Sequence, residues 1–251
     1  MNLNIVRELM RTLPPDVAVL DVGGGSSPFP RADYILDARP YPDENAGSFR
    51  QRRRPLTDVP VRYGPDTWIE WDVCDRRPWP FRDGQFDFAV CSHLLEDVRD
   101  PVWVCSELCR VAIAGYIETP SRALEQSLGV EHPLYCGYCH HRWLVTPTAD
   151  GLGLEFRYKP HSLHSLGAAH VCHLRPGYRL HPRLENLSLH WRGSLSCREV
   201  LEFDQDRVEA ELIAFAQAAR KTGDLVVRNG MPFLDRLRRN VYDWRRCYGR
   251  R

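Results

Sequence analysis

The chain has little lysine, no long apolar segment and no excess of charge of either sign. Its 251 residues include 34 basic and 33 acidic side chains, giving a formal net charge of +1, and the only lysines are Lys159 and Lys221. So balanced a charge gives no reason to expect a nucleic-acid partner or an anionic membrane surface. No apolar run approaches the roughly 20 residues of a membrane-spanning helix. We therefore expect neither a nucleic-acid partner nor a membrane partner.

The N-terminal segment also lacks the apolar core of a signal peptide. "MNLNIVRELMRTLPP" has the pattern of a short amphipathic helix that two prolines end. The nine cysteines are an odd number, and several of them (Cys91, Cys105, Cys109) fall inside apolar patterns. Buried and reduced thiols of this kind are typical of a reducing compartment. These features predict a cytoplasmic location.

Two apolar segments near the N-terminus end on residues suited to a ligand. The aliphatic run 17–20 in "VAVLDVGGG" stops at Asp21 and leads into three glycines. The next run, "YILD", stops at Asp37. Such runs indicate buried parallel strands. Because glycines let a ligand approach the backbone, and a carboxylate ending the next strand suits ribose hydroxyls, the pattern predicts a nucleoside-bearing cofactor.

Strands and helices continue to alternate up to residue 120. "TWIEWDVCD" predicts a third strand ending at Asp72, "FDFAVCSHL" a fourth ending near Ser92, and "AGYIETP" a fifth ending near Glu118. Asp100 and Pro101 are a typical helix start between the last two. "LSLHWRG" and "SCREVLEFD" are candidates for an antiparallel pair that closes the sheet. The sequence thus predicts an α/β fold, a Rossmann-like doubly wound seven-stranded sheet with a substrate-cap insertion after strand five.

The ordered motifs resemble the class I S-adenosylmethionine (SAM)-dependent methyltransferases, and most closely their small-molecule branch. The motifs are "VLDVGGG", the aspartate that ends the second strand, "WDVCDRRPWPFRDGQFDFAVCSHLLEDVRDP" and "ELCRVAIAGYIETPSR", which together span residues 17–122. In that branch the fourth-strand motif usually reads "FDxVxxxxxLEHVxDP". The glycine triplet alone is weak evidence, so the resemblance depends on the order of all four motifs.

The resemblance implies SAM as cofactor, with S-adenosyl-L-homocysteine as product. Asp37 would accept hydrogen bonds from both ribose hydroxyls, and Asp72 would accept one from the adenine amino group. Charged hydrogen bonds of this kind contribute about 1.5–3 kcal/mol each. Any one of these aspartates could instead cap a helix or form a turn. The implied SAM-binding set is Asp21, Gly23, Gly24, Gly25, Asp37, Ala38, Asp72, Val73, Ser92 and His93.

Two stretches depart from the family pattern. Only "SSPFPRAD" separates Gly25 from Tyr34, where relatives place a helix of several turns, and its two prolines leave room for little more than one turn. Residues 38–66 contain many helix breakers and no helical period, which predicts a lid or binding loop. A dinucleotide dehydrogenase is the nearest rival on this fold. Its G-x-G-x-x-G fingerprint requires a third glycine where Pro28 stands, so we disfavour that interpretation.

The composition changes after residue 120. Residues 121–175 are rich in histidine, tyrosine and glycine, and they follow the carboxyl end of strand five, where the cofactor is expected. We interpret them as a substrate cap. "RWLV" and "LEFRYK" predict a hairpin around Asp150 and Gly151. Aromatic side chains suit a flat or apolar acceptor, and the substrate-binding candidates are Tyr135, Tyr138 and Trp143.

We expect a single domain over residues 1–251. It would consist of a SAM-binding core at 1–120, the cap at 121–175, and sheet-closing strands with C-terminal helices at 176–251. Residues 206–220 have an amphipathic helical pattern, and the tail "PFLDRLRRNVYDWRRCYGRR" has a second one.

The histidines of the cap are candidates for proton transfer. Transfer from a sulfonium is an in-line displacement, so alignment of the acceptor supplies most of the catalysis. A base is needed only if the acceptor must lose a proton, and histidine suits that task. His140 and His141 are the first candidates, followed by Glu118 and His93. Each of them could equally position substrate or satisfy a structural hydrogen bond.

Cysteines and histidines in the cap also raise the question of zinc. Cys136 and Cys139 form a C-x-x-C pair with several histidines nearby. Cys172 and His173, the second pair, are adjacent and lack the spacer of a closed zinc site. We therefore predict no metal.

The sequence favours a SAM-dependent methyltransferase that acts on a small organic acceptor, in specialised (natural product) metabolism, as a monomer or homodimer. Two alternatives stay open. One is a SAM-dependent enzyme with a different reaction, such as base-assisted cyclisation of a SAM-derived intermediate. The other is a non-catalytic SAM-binding subunit, suggested by the shortened connection between the first two strands. The acceptor and the alkylated atom are not specified.

Overall fold

A computed structural model of the chain describes residues 1, 3–25, 27–41 and 60–228. The chain divides into two compact units. The first unit comprises residues 1–119, 145–157 and 187–200, and the second comprises 120–144, 158–186 and 201–251. Most of the predicted 38–66 loop and the amphipathic tail lie outside the described residues. Among the helices that are described, none has both the length and the apolar character needed to cross a membrane.

The secondary structure alternates between strands and helices in the first half of the chain. The described strands are β1 (Val19–Val22), β2 (Tyr34–Asp37), β3 (Trp68–Glu70), β4 (Phe86–Ser92), β5 (Ala112–Pro120), β6 (Trp143–Pro147), β7 (Gly153–Tyr158), β8 (Tyr178–Leu180), β9 (Asn186–Arg192), β10 (Ser196–Glu199) and β11 (Val226–Arg228). The α-helices are α1 (Leu3–Thr12), α2 (Pro101–Val111), α3 (Arg122–Glu125) and α4 (Gln205–Arg220). Short 3-10 helices occupy Pro65–Thr67, His161–His164, Gly167–Ala169 and Pro182–Leu184.

The main sheet has the strand order β3-β2-β1-β4-β5-β9. The five strands from β3 to β5 are parallel, and β1 lies between β2 and β4, with Val22 opposite both Leu36 and Cys91. The chain therefore extends the sheet first to one side of β1 and then to the other. In such doubly wound sheets, ligands bind outside the carboxyl ends of the strands at this reversal. The predicted α/β fold is confirmed at this level.

The closing strands differ from the prediction. Tyr116 bonds to Ser188 and the Ile113 carbonyl accepts from Gly193, so β9 runs antiparallel beside β5. β10, however, pairs in parallel with β7 in a separate sheet ordered β10-β7-β6. The predicted antiparallel pairing of β9 with β10 is therefore wrong, and the main sheet has six strands among the described residues.

The polar character of β10 explains this. Three of its four side chains are exposed and none is buried, as suits the edge of a small sheet rather than a place in a buried one. Gly153 of β7 permits the pairing because a Cβ there would lie 2.0 Å from the Ser196 carbonyl oxygen.

Several other predictions are confirmed. Asp100 caps α2 by accepting from the backbone N–H of Trp103 at 3.0 Å, and Pro101 occupies the first turn. β6 and β7 form the predicted hairpin, since Thr148 donates to the Gly153 carbonyl across the turn. α4 matches the predicted helix closely. The described residues between β1 and β2 contain no α-helix.

Each unit has its own apolar core. In the first unit α1 packs against the parallel sheet through Val6 and Leu9, which contact a cluster that includes Val19 and Ile35. In the second unit α4 contributes Leu212 and Ala216 to two clusters. Burial of a valine, leucine or isoleucine side chain contributes roughly 1.5–3 kcal/mol. The core of the first unit thus fixes the parallel strands, whose carboxyl ends carry the predicted site residues.

Candidate functional site

The glycine turn after β1 is held by a buried carboxylate. Asp21 Oδ2 accepts a hydrogen bond of 2.7 Å from the backbone N–H of Phe29. Gly23 and Gly25 adopt φ of 73° and 53°, a region that side chains disfavour. A Cβ on Gly24 would lie 2.7 Å from Asp21 Oδ2. Glycine is therefore needed at all three positions.

Burial changes the chemistry of Asp21. The side chain is almost fully inaccessible, and this desolvation raises its pKa to about 7, although the hydrogen bond from Phe29 opposes the shift. The negative charge of Asp37 adds a smaller upward effect. A cationic ligand group placed here would favour the ionised form of Asp21.

Asp37 links the end of β2 to the glycine turn. Its Oδ2 accepts from the Gly25 backbone N–H at 2.7 Å, and its Oδ1 accepts from the Arg39 N–H at 2.8 Å. A carboxylate has about four acceptor positions, so two remain for hydroxyl groups. The structure thus brings the predicted Asp37 and the glycine turn into direct contact. Ala38, also predicted here, is exposed beside them.

The predicted adenine-binding residues lie just beyond β3. Asp72 is half exposed and pairs with Arg99 at 2.8 Å, while its Oδ1 accepts from the Cys74 N–H at 2.9 Å. Desolvation is the largest single effect and would raise the pKa of Asp72, but the hydrogen bonds from Arg99 and Cys74, together with the charge of Arg99, lower it overall. Val73 is buried, and its carbonyl oxygen accepts from Trp79. A cavity of about 440 Å³ opens here, lined by Asp72, Cys74, Asp75, Arg76, Arg99 and Asp100.

The carboxyl ends of β4 and β5 are joined by charged side chains. His93 Nε2 lies 3.0 Å from Oε1 of Glu118, and its Nδ1 lies 3.4 Å from Oε1 of Glu96. Ser92 Oγ donates to the same Glu118 oxygen at 3.4 Å. Both glutamates are about 1% exposed. The structure thus brings together the predicted Ser92, His93 and Glu118 and adds Glu96.

These contacts shift the pKa values of His93 and Glu118 away from those of a general base at neutral pH. Burial alone would lower the pKa of His93, but hydrogen bonds to Glu118 and Glu96 raise it to about 9. Burial alone would raise the pKa of Glu118, but hydrogen bonds from His93 and Tyr116 lower it to about 2. At neutral pH the pair is therefore an imidazolium and a carboxylate.

Tyr116 extends the network from behind. Its hydroxyl donates to Glu118 Oε2 at 2.8 Å and lies 3.0 Å from Ser188 Oγ on β9. Burial, followed by the negative charge of Glu118, raises the pKa of Tyr116 above its usual range. Tyr116 and Glu96 were not predicted. Tyr116 reads only as a core aromatic in "AGYIETP", because its polar contact depends on β9, which is distant in sequence.

A second charged cluster lies within the second unit. His141 Nδ1 is 2.9 Å from Glu125 Oε1, and Lys159 Nζ is 2.6 Å from Glu125 Oε2. The side chains of all three are at most 6% exposed. Burial alone would raise the pKa of Glu125, but hydrogen bonds and charges from His141 and Lys159 lower it overall. A carboxylate that orients a histidine in this way is a recurring element of catalytic sites.

Glu125 and Lys159 were also missed by the sequence analysis. Glu125 falls in the helical pattern of "SRALEQ" and gives no sign of its partners. Lys159 did carry a signal, because it is one of two lysines among 34 basic residues. A lysine kept in a chain that otherwise uses arginine points to a site where the compact ammonium is needed and the planar guanidinium does not fit.

The remaining predicted cap residues differ in whether they contact this cluster. His140 is 59% exposed, and its Nδ1 lies 3.9 Å from Glu131. The ring centroid of Tyr138 lies 4.7 Å from that of His141 with the planes tilted by 37°, whereas Tyr135 contacts the rings of His132 and His164. Trp143 is buried with its ring edge to Tyr158. The structure therefore places Tyr138 against His141. Tyr135 contacts His132 and His164 instead, and Trp143 contacts Tyr158.

The C-x-x-C stretch forms a turn. Cys136 is buried, and its thiol donates to the Leu163 carbonyl oxygen at 3.7 Å. Burial raises the pKa of Cys136 to about 12, so this thiol stays protonated at neutral pH. The backbone N–H of Cys139 donates to Glu131 at 2.8 Å.

The fold is a doubly wound α/β sheet with polar side chains at the carboxyl ends of its parallel strands. Residues 36–117 match the family model described as a methyltransferase domain. This match confirms the resemblance to class I SAM-dependent methyltransferases and implies SAM as the cofactor. The matched segment starts just before Asp37 and ends just before Glu118, so it excludes the glycine turn and the second unit.

Solved structures of similar fold cover about half of the chain. One is a Haloferax volcanii complex between the Trm112 methyltransferase activator and a methyltransferase, with 20% identity, a TM-score of 0.33, and 47% of this chain and 52% of that chain covered. A Bacillus halodurans C-125 protein described as a methyltransferase has 18% identity and a TM-score of 0.33, with 48% of this chain and 51% of that chain covered. The SAM-dependent methyltransferase of Mesorhizobium loti has 17% identity and a TM-score of 0.32, with 61% of this chain and 63% of that chain covered. No curated protein matches the chain. At these values the structural likenesses carry no argument about activity.

Proposed function

We propose that this protein is a SAM-dependent methyltransferase that acts on a small organic acceptor. The observation that carries the proposal is the bond between Asp37 and Gly25, which joins a buried carboxylate to the glycine turn at the carboxyl ends of parallel strands. That arrangement suits a nucleoside cofactor. The methyltransferase match over residues 36–117 supports SAM rather than a dinucleotide.

The residues of the first unit have separate roles in this proposal. Asp37 accepts from the ribose hydroxyls, Asp21 faces the ammonium group, and Asp72 with Val73 contacts the adenine. Bound SAM supplies an electrophilic methyl group on a sulfonium.

Residues 121–175 are proposed to contact the acceptor, with His141 as the base when the acceptor must lose a proton. The bond from His141 Nδ1 to Glu125 orients the ring, and Nε2 is proposed as the nitrogen that accepts the proton. His93 suits this task less well, because its raised pKa keeps it protonated near neutral pH. Glu118 is too weakly basic for it.

The finer parts of the proposal are a cytoplasmic enzyme of specialised metabolism, as a monomer or homodimer, and a single domain whose 121–175 segment is an inserted cap. Two alternatives are kept. Cyclisation of a SAM-derived intermediate is motivated by the Glu125–His141 pair, which could act as a base without methyl transfer. A non-catalytic SAM-binding subunit is motivated by the absence of a helix in the described residues between β1 and β2.

The test uses SAM labelled with deuterium in its methyl group and a panel of small phenols, catechols, amines and carboxylic acids. Formation of S-adenosylhomocysteine together with a deuterated acceptor supports the proposal. Consumption of SAM without labelled acceptor favours the cyclase alternative. If SAM binds and no panel member yields either product, the scaffold alternative is favoured. An Asp37→Ala variant controls for activity from contaminating enzymes.

A further inference from the structure

Lys159 is a buried cation whose hydrogen-bonding capacity is filled. Its Nζ donates to Glu125 Oε2 at 2.6 Å, to the Cys136 carbonyl at 2.9 Å and to the Tyr138 carbonyl at 2.8 Å. An ammonium has three N–H donors, so each has an acceptor. A planar guanidinium could not point its donors in these three directions. Lys159 is therefore built into the second unit and is not a side chain of the solvated surface.

Gly137 makes this arrangement possible. It adopts φ of 58°, and a Cβ on it would lie 2.3 Å from Glu125 Oε2. The carbonyls on either side of Gly137 are the two that bind Lys159. The "CGYC" stretch, which resembled half of a zinc site, thus wraps an ion pair.

We propose that Glu125 and Lys159 are positioning residues that set the tautomer and the protonation of His141. Glu125 fixes Nδ1 as the hydrogen-bonding nitrogen, and Lys159 offsets the charge of the carboxylate. The catalytic consequence rests on the proposed function, whereas the titration of His141 can be measured without cofactor or acceptor. The titratable groups around His141 include Glu125, Lys159, His140 and Tyr138.

The two partners should act on His141 with opposite sign. An uncompensated carboxylate beside the ring would stabilise imidazolium, so loss of Lys159 should move the titration midpoint of His141 to higher pH. An uncompensated ammonium would disfavour imidazolium, so loss of the Glu125 charge should move the midpoint to lower pH. Opposite charges within 4–6 Å shift titrations by about 1–3 units. A purely structural role would not produce shifts of opposite sign.

The first experiment is made on the wild-type protein, and a variant is needed only to assign the His141 signals. Nitrogen-15 NMR of the imidazole at high pH identifies the tautomer, with the His141 signals assigned by their loss in His141→Asn. We expect the proton on Nδ1 and an unprotonated Nε2. Finding the proton on Nε2 would overturn the inference.

The second experiment follows the His141 titration in Lys159→Met, Glu125→Gln and the double variant. We expect the midpoint to rise by one unit or more in Lys159→Met, to fall by a similar amount in Glu125→Gln, and to lie between them in the double variant. Lys159→Arg keeps the charge and should stay closer to the wild-type value than Lys159→Met. Shifts of the same sign, or none, in variants that keep the wild-type circular dichroism would contradict the inference. If no single variant folds, the tautomer of wild-type His141 still decides it.

Turnover separates this inference from the proposed function. If His141 is the base, the rising limb of kcat/KM with pH should move in each variant as its NMR midpoint does. Midpoints that move as expected while the kinetic limb stays fixed would refute the base role of His141 and leave the positioning pair supported.

Discussion

His93 is tied to Glu118 twice. Its Nε2 lies 3.0 Å from Glu118 Oε1, and its backbone N–H donates to the Glu118 carbonyl at 2.8 Å. His93 is the one non-glycine residue with positive φ in the described chain, at 54°. Such conformations cost about 1–3 kcal/mol and persist where surrounding contacts over-determine them. Together the two bonds across β4 and β5 hold this strained residue beside the proposed cofactor site.

The first prediction concerns the pH dependence of stability. The folded-state pKa of His93, about 9, lies above its usual value of 6.5, so its stabilising effect is complete below pH 6.5 and is lost as the pH rises through 9. The free energy of unfolding should therefore differ between wild type and His93→Gln more at pH 6 than at pH 9.5. Urea denaturation at the two pH values measures it. An equal difference at both would show that the ion pair does not stabilise the fold.

The second prediction separates the two adjacent histidines. His141→Asn should lower turnover by about 10²–10⁴, the effect of removing a positioned base, while SAM affinity stays nearly unchanged. His140→Asn is the matched control and should have a smaller effect, because His140 is 59% exposed and lies 3.9 Å from its carboxylate partner. The kcat/KM limb that rises with pH should flatten in His141→Asn only. Wild-type turnover and pH profile in both variants would mean that the base lies elsewhere or that alignment alone suffices.

The third prediction concerns the buried Asp21. Its folded-state pKa is raised from 3.8 to about 7. Between about pH 4 and 7 the carboxyl ionises in the unfolded chain but stays protonated in the folded protein, so the free energy of unfolding of the wild type should fall over this range. Asparagine can still accept from Phe29. Asp21→Asn should therefore be less destabilised over this range, by on the order of a few kcal/mol, yet bind SAM more weakly for lack of a negative charge.

Asp87→Asn is the control for Asp21→Asn, because its exposed Oδ2 accepts from the Ala18 N–H beside the same strand at 2.8 Å. Thermal unfolding between pH 4 and 8 should give parallel curves for Asp87→Asn and wild type. If Asp21→Asn also parallels wild type, Asp21 is ionised in the folded protein throughout.

The fourth prediction concerns metal. We expect no stoichiometric zinc, because the Cys136 thiol bonds to a carbonyl and its turn binds Lys159. Elemental analysis of the purified protein measures it. One zinc per chain, lost in a Cys136→Ser/Cys139→Ser double variant, would contradict the prediction.

Parallel strands and their polar ends could be predicted because their signals are local. Asp21 and Asp37 each end an aliphatic run, and both are found at the carboxyl edge of the main sheet. The bond between Asp37 and Gly25 could not be predicted, since it depends on the register of β1 against β2. The fate of β10 was missed because a short polar strand carries no pattern that selects its partner.

The charged clusters show the same limit. Glu125 and Lys159 are 34 residues apart, and only the fold brings them together. The histidines were visible as a composition bias, but the carboxylate that orients His141 was not. Sequence reasoning therefore found residues that could do chemistry and missed the partners that determine their protonation.

Isothermal titration calorimetry with SAM, S-adenosylhomocysteine and NAD tests the central claim most directly. The wild type should bind SAM and S-adenosylhomocysteine but not NAD, and Asp37→Ala should weaken both by tenfold or more, about 1.4 kcal/mol. Asp66→Ala, at an exposed carboxylate before β3, should leave both affinities unchanged. Heat with NAD and none with SAM or S-adenosylhomocysteine would contradict the account.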